Sequence, residues 1–157
     1  MRLPMKQLGA VVLLCVLPLH LNAETLSRFQ AVTDELRQQL DILEAVHITV
    51  VEHNPLVMSV ETLAGRSGPF VITADKQFVQ SLSDDELKAA IAHELGHVWI
   101  YTHHPYLQTE RLANDIALRV TSAELLVPVY EKVWKRIGMR GNIAEIIPIE
   151  MKPGSRW

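Results

Sequence analysis

The chain has 157 residues, 15 Lys and Arg against 18 Asp and Glu, and a single cysteine. That length suits one domain with one core. The acidic excess, and the lack of any basic stretch longer than 132–136, speak against nucleic acid as a partner.

Residues 1–23 are read as a secretory signal. Arg2 and Lys6 make a short basic start, an apolar run broken only by Gly9 and Pro18 follows, and small Ala23 ends the stretch where a signal peptidase cuts. At about a dozen residues the run is too short to span a bilayer stably. The expected mature chain is therefore one exported, periplasmic domain over residues 24–157, with no stable membrane span. Loss of Arg2 and Lys6 leaves 13 basic residues against 18 acidic ones, a net charge of −5. Cys15 leaves as well, so any metal must be held by His, Asp or Glu.

The spacing of Leu26, Phe29, Val32, Leu36, Leu40 and Leu43 predicts an amphipathic helix over 24–45. HITVVE at 47–52 is β-branched and reads as a strand. Further strands are expected at 56–63 and 70–73, separated by a loop over 64–69. Ser83-Asp84-Asp85-Glu86 is a capping box opening a helix from 84 to about 101. Pro105 breaks the chain, and a second long helix is expected over 107–137, kinked or divided at Pro128 and ended by Gly138 and Gly141. The tail from 142 shows no clear period. The fold class expected is a small α+β, zincin-like domain: a short three-stranded sheet packed on one helix, with a second long helix.

The first of these helices carries His93-Glu94-Leu95-Gly96-His97, an H-E-x-x-H sequence. Histidines at i and i+4 leave a helix on one side and can meet a single ion. Glu94 flanks that face, where a carboxylate takes a proton from a zinc-activated water without binding the metal. Gly96 leaves room for a substrate backbone or a neighbouring helix. Two histidines need a third protein ligand. His103 stands at the metzincin spacing, but that pattern needs glycine where this chain has Ile100. Glu110 is the better candidate, on a following helix whose Ala113, Asn114 and Ala117 share its face. Asn114 is placed to accept a hydrogen bond from the far nitrogen of a ligating histidine.

PFVITADKQFVQSLSDDELKAAIAHELGHV and ERLANDIA resemble the HtpX-like zinc metallopeptidases, the gluzincin family that includes the CAAX prenyl endopeptidases. The resemblance covers 47–117. It implies one zinc per chain held by His93, His97 and Glu110, with Glu94 as general base and a peptide or protein as substrate. Asn114 stands where the family has Asp. The oxyanion donor is unassigned, with Tyr130, Arg119 and Arg136 as candidates. The function implied is a soluble, exported zinc metalloendopeptidase acting in envelope protein quality control. The alternative is a zinc-stabilised, non-catalytic binding or chaperone-like module.

Overall fold

The computed structural model describes residues 23–63 and 68–147. Apart from Ala23, the expected signal segment lies outside the described residues, as do most of the 64–69 loop and the tail beyond 147. The chain is a small α+β domain, with six helices and one three-stranded sheet among the described residues.

Helix α1 (Ala23–Gln39) is shorter than its leucine period predicts. Its end is a Schellman turn: the Ile42 amide donates to the Arg37 carbonyl and the Asp41 amide to that of Gln38. Asp41 takes the left-handed conformation, φ 54°, that such a turn requires. Past it the apolar residues change role. Leu40 and Ile42 are buried, whereas Leu43 is 90% exposed. The period continued, but the helix did not.

Strands β1 (Val46–Val51), β2 (Met58–Thr62) and β3 (Phe70–Asp75) form a sheet of order β1-β3-β2. β3 is central, parallel to β1 and antiparallel to β2. Its Phe70, Ile72 and Ala74 alternate into the core, as Val46 and Ile48 do from β1. Fully burying one such aliphatic side chain contributes roughly 1.5–3 kcal/mol. Asp75 ends β3 and caps the short helix α2 (Lys76–Ser81), accepting from the Phe78 amide at 3.0 Å.

Helix α3 (Asp84–His103) opens with the expected capping box, Ser83 and Glu86 satisfying each other's backbone amides. Lys132 donates to the same Glu86 carboxylate at 2.6 Å, which ties a later part of the chain to the start of α3. α3 buries Leu87, Ile91, Leu95 and Val98 on one side and Ala89, Ala90, Ala92 and Ile100 on others. A helix buried on most faces is the central element of a core, and α1, the sheet and the two helices that follow all pack on it.

The second long helix is two. Helix α4 (Glu110–Ala117) and helix α5 (Ala123–Ile137) are separated at 118–122, not at Pro128. The amides of Arg119 and Val120 bond three residues back and tighten the end of α4, and Ser122 is extended. Pro128 lies inside α5. A proline there costs about 3 kcal/mol, and burial of Leu126, Val129 and Tyr130 against the core offsets it. The tail adds one turn, α6 (Ile143–Ile146), followed by the fully buried Ile147.

Candidate metal centre

His93 and His97 leave α3 on one face, their rings edge-to-face with centroids 4.8 Å apart. α4 runs antiparallel beside α3, since Gly96 meets Ala113 while His93 meets Asn114 and His97 meets Glu110. Of the two uses expected for the space at Gly96, the neighbouring helix occupies it: a Cβ there would lie 2.3 Å from the Ala113 carbonyl oxygen. This close approach brings the first turn of α4, and Glu110 with it, over the two rings.

Glu110 faces His93 Nε2 at 3.3 Å and His97 Nε2 at 3.4 Å. The three groups offer ligand atoms that all lie within 4.8 Å of one another. Charged hydrogen bonds between such groups contract to about 2.7–2.9 Å. Bonds of 2.0–2.1 Å to a tetrahedral zinc instead set ligand atoms about 3.3–3.4 Å apart. The donor set, with its ligand atoms this close together, is compatible with a metal ion.

Each imidazole is held by an amide at its other nitrogen. His93 Nδ1 is 2.9 Å from Asn114 Oδ1, and His97 Nδ1 is 3.0 Å from Gln108 Oε1. Gln108 Nε2 donates to the His97 backbone oxygen, which orients its Oε1 toward the ring. Both Nδ1 atoms then carry the proton, and both Nε2 atoms face Glu110. Such outer partners fix ring orientation at metal sites. Gln108 has no signal in the sequence, because it sits in an irregular segment and acts 11 residues from its partner.

The charges follow from this packing. When they are protonated at Nε2 as well, the facing imidazoles hold the Glu110 carboxyl far below the ordinary range by hydrogen bonding and charge, against a smaller upward push from burial. Burial pushes Glu94 up, while the neighbouring imidazoles pull it down and Glu110 adds to the rise; on balance it is raised. Burial lowers His97, but Glu110, Gln108 and Glu94 together raise it above its ordinary value. Tyr130 is raised by burial and by the Glu110 charge, so its hydroxyl remains a proton donor.

Of the three candidate oxyanion donors, Tyr130 alone lines the cleft described below. Its hydroxyl donates to Glu110 Oε2 at 3.0 Å and accepts from Asn114 Nδ2 at 2.9 Å. Arg119 lies over the Trp99 ring at 5.1 Å, and Arg136 pairs with Asp75 at 2.7 Å. His103 ends α3 stacked on Trp99, with Nδ1 2.9 Å from the Trp99 carbonyl oxygen, outside the cluster of His93, His97 and Glu110.

A cleft of about 780 Å³ opens before these residues. All five residues of β2 line it, odd and even alike, so the strand borders it with its edge rather than one face. Among the described residues β3 is paired with strands on both sides and β2 with a strand on one. Tyr101 and Val133 add apolar surface to its lining.

No family model matches the chain, and no curated protein matches it. Among solved structures it is similar to the metallopeptidase zymogen abylysin of Pyrococcus abyssi, at 13% identity and a TM-score of 0.50, over 73% of this chain and 99% of that one. It also matches the metallopeptidase zymogen jannalysin of Methanocaldococcus jannaschii, at 16% identity and a TM-score of 0.49, over 69% and 96% of the two chains. The abylysin likeness is one of fold. It agrees with the α+β, zincin-like architecture.

Proposed function

We propose that this chain is a zinc-dependent metalloendopeptidase. The observation that carries the reading is the convergence of His93, His97 and Glu110, with ligand atoms all within 4.8 Å of one another, beside buried Glu94, in a cleft bordered by the edge of β2. The resemblance to HtpX-like peptidases supports it, as does the likeness to a metallopeptidase fold.

Zinc held by these three residues would supply Lewis acidity, polarising a carbonyl and lowering the pKa of water. The chain's own groups do the rest. The β2 edge offers backbone amides and carbonyls to an extended peptide and aligns it across the ligands. Glu94 accepts a proton from the attacking water as its oxygen bonds to the carbonyl carbon. As the carbon–nitrogen bond breaks, Glu94 returns that proton to the leaving amine.

Export to the periplasm and a role in envelope protein quality control belong to the same proposal. They rest on residues 1–23 and on the family resemblance. Among the described residues no helix is long and apolar enough to cross a membrane.

A second reading, a zinc-stabilised binding or chaperone-like module, is favoured by one observation. The single Tyr130 proton is directed at Glu110, which leaves that hydroxyl no donor for an oxyanion. Zinc stoichiometry of the chain beside Glu110→Ala tests the centre: one zinc per chain, lost or much weakened in the variant, is expected. Peptide hydrolysis by the chain beside Glu94→Gln then separates the readings. Turnover that falls about 10²–10⁴-fold with zinc retained identifies the enzyme. No turnover in either protein, with zinc bound, favours the module.

A further inference from the structure

The C-terminal turn is joined to the candidate metal centre through one side chain, Asn114, which is fully buried. The Ile146 carbonyl oxygen can only accept, so the Asn114 atom 2.9 Å from it is Nδ2. Oδ1 must then face His93 Nδ1, 2.9 Å away. An amide oxygen also only accepts, so Nδ1 carries the ring proton and Nε2 presents its lone pair toward Glu110. The second Nδ2 proton goes to Tyr130 Oη, and the Tyr130 proton goes to Glu110 Oε2. Each proton is used once, from a backbone carbonyl of the tail to both helices of the site.

We propose that the turn at 143–147 selects the tautomer of His93 through Asn114, a positioning residue, and that this position requires an amide rather than a carboxylate. The value of that selection to the protein rests on the reading of His93 as a metal ligand. An aspartate at 114 would still offer His93 an acceptor. It would also set a second acceptor against the Ile146 carbonyl with no proton between them, and the turn would be released. The departure from the family's Asp is thereby explained by what the tail brings. Coupling of this kind is reciprocal: a metal on Nε2 requires the proton on Nδ1, the state in which the turn is docked.

The test begins without metal. Histidine ring nitrogens of the ¹⁵N-labelled full chain are recorded at a pH where the ring is neutral, for wild type, Asn114→Ala, Asn114→Asp and Ile147→Ala. Amide exchange is followed at Glu145 and Ile147, whose backbone amides close the turn. Wild-type His93 is expected as the Nδ1–H tautomer. Asn114→Ala and Ile147→Ala should admit the Nε2–H form. Asn114→Asp should keep Nδ1–H but speed exchange at Glu145 and Ile147 at least about tenfold, a separation that a merely structural role would not give. An Nε2–H ring in wild type overturns the proposal, and so does an Asn114→Asp turn exchanging at the wild-type rate. Should Asn114→Ala fail to fold, Ile147→Ala decides, because it leaves the side chains of the site intact.

Zinc titration follows separately. Asn114→Ala is expected to bind about 10–100-fold more weakly and Asn114→Asp within a few-fold of wild type. A wild-type chain that binds no zinc yet shows the assigned tautomer removes the metal reading and supports the selection by the turn.

Discussion

Gly96 of α3 and Ala113 of α4 pack backbone to backbone, with no room for even one methyl group between them. The obstacle is a helix carbonyl, not a flexible side chain, so Gly96→Ala must push the two helices apart. Overpacking of this kind costs about 1–3 kcal/mol. Because α4 carries Glu110, the same shift should draw the carboxylate away from the two rings. Thermal denaturation and chelator-competition titration should show a lowered Tm and weakened zinc binding together. A variant with wild-type values in both would refute the close approach.

Gln108 and His103 make a paired prediction. Gln108 touches His97 from a segment without regular structure, whereas His103 is stacked on Trp99. Gln108→Ala should weaken zinc binding about tenfold or more through loss of ring orientation. His103→Ala should leave it unchanged. The reverse ranking would restore His103 as the third ligand.

Tyr130 distinguishes orientation from transition-state stabilisation. Its hydroxyl bonds Glu110 and Asn114. Tyr130→Phe should therefore weaken zinc affinity about tenfold while altering kcat little once the site is saturated with zinc. A fall in kcat of about 10²-fold or more with zinc affinity intact would make Tyr130 the oxyanion donor instead.

Asp75 and Arg136 bear on stability against acid. Burial pushes the Asp75 carboxyl upward, but hydrogen bonds from the Phe78 amide, Arg136 and the Asn54 amide hold it below its ordinary value. A carboxyl depressed in the folded state contributes stability above its unfolded pKa, about 3.9. It loses that contribution as pH falls from there toward the folded value. Asp75→Ala strands Arg136 and two backbone amides, and should cost about 3 kcal/mol at neutral pH. Urea denaturation across the acid range should show a steep loss of wild-type stability below about pH 4. The loss should be shallower in the variant. Parallel curves would mean that Asp75 is not the group responsible.

The sequence by itself determined α3 and what it displays. Helical geometry relates residues three and four apart without help from the rest of the chain. Ser83 and Glu86 could therefore be read as a cap, and His93 and His97 as one face. The three strands and the α+β class were legible for the same reason, since β-branched runs and turn residues act locally. The α1 end and the α4–α5 break were not. At Asp41 a turn without glycine overrode the leucine period. At Pro128 burial of α5 outweighed a residue that would break an isolated helix.

Only the tertiary structure decided how the centre is completed. Glu110 reaches the histidines because Gly96 lets two helix backbones touch, and His97 is oriented by Gln108 from the intervening irregular segment. His93 is oriented by an amide pinned to a backbone carbonyl 32 residues further along. A carbonyl carries no side-chain signature, and its direction is set only when Ile147 is buried and the turn docks. The sequence names the atoms able to bind a metal; long-range packing sets their tautomers and distances.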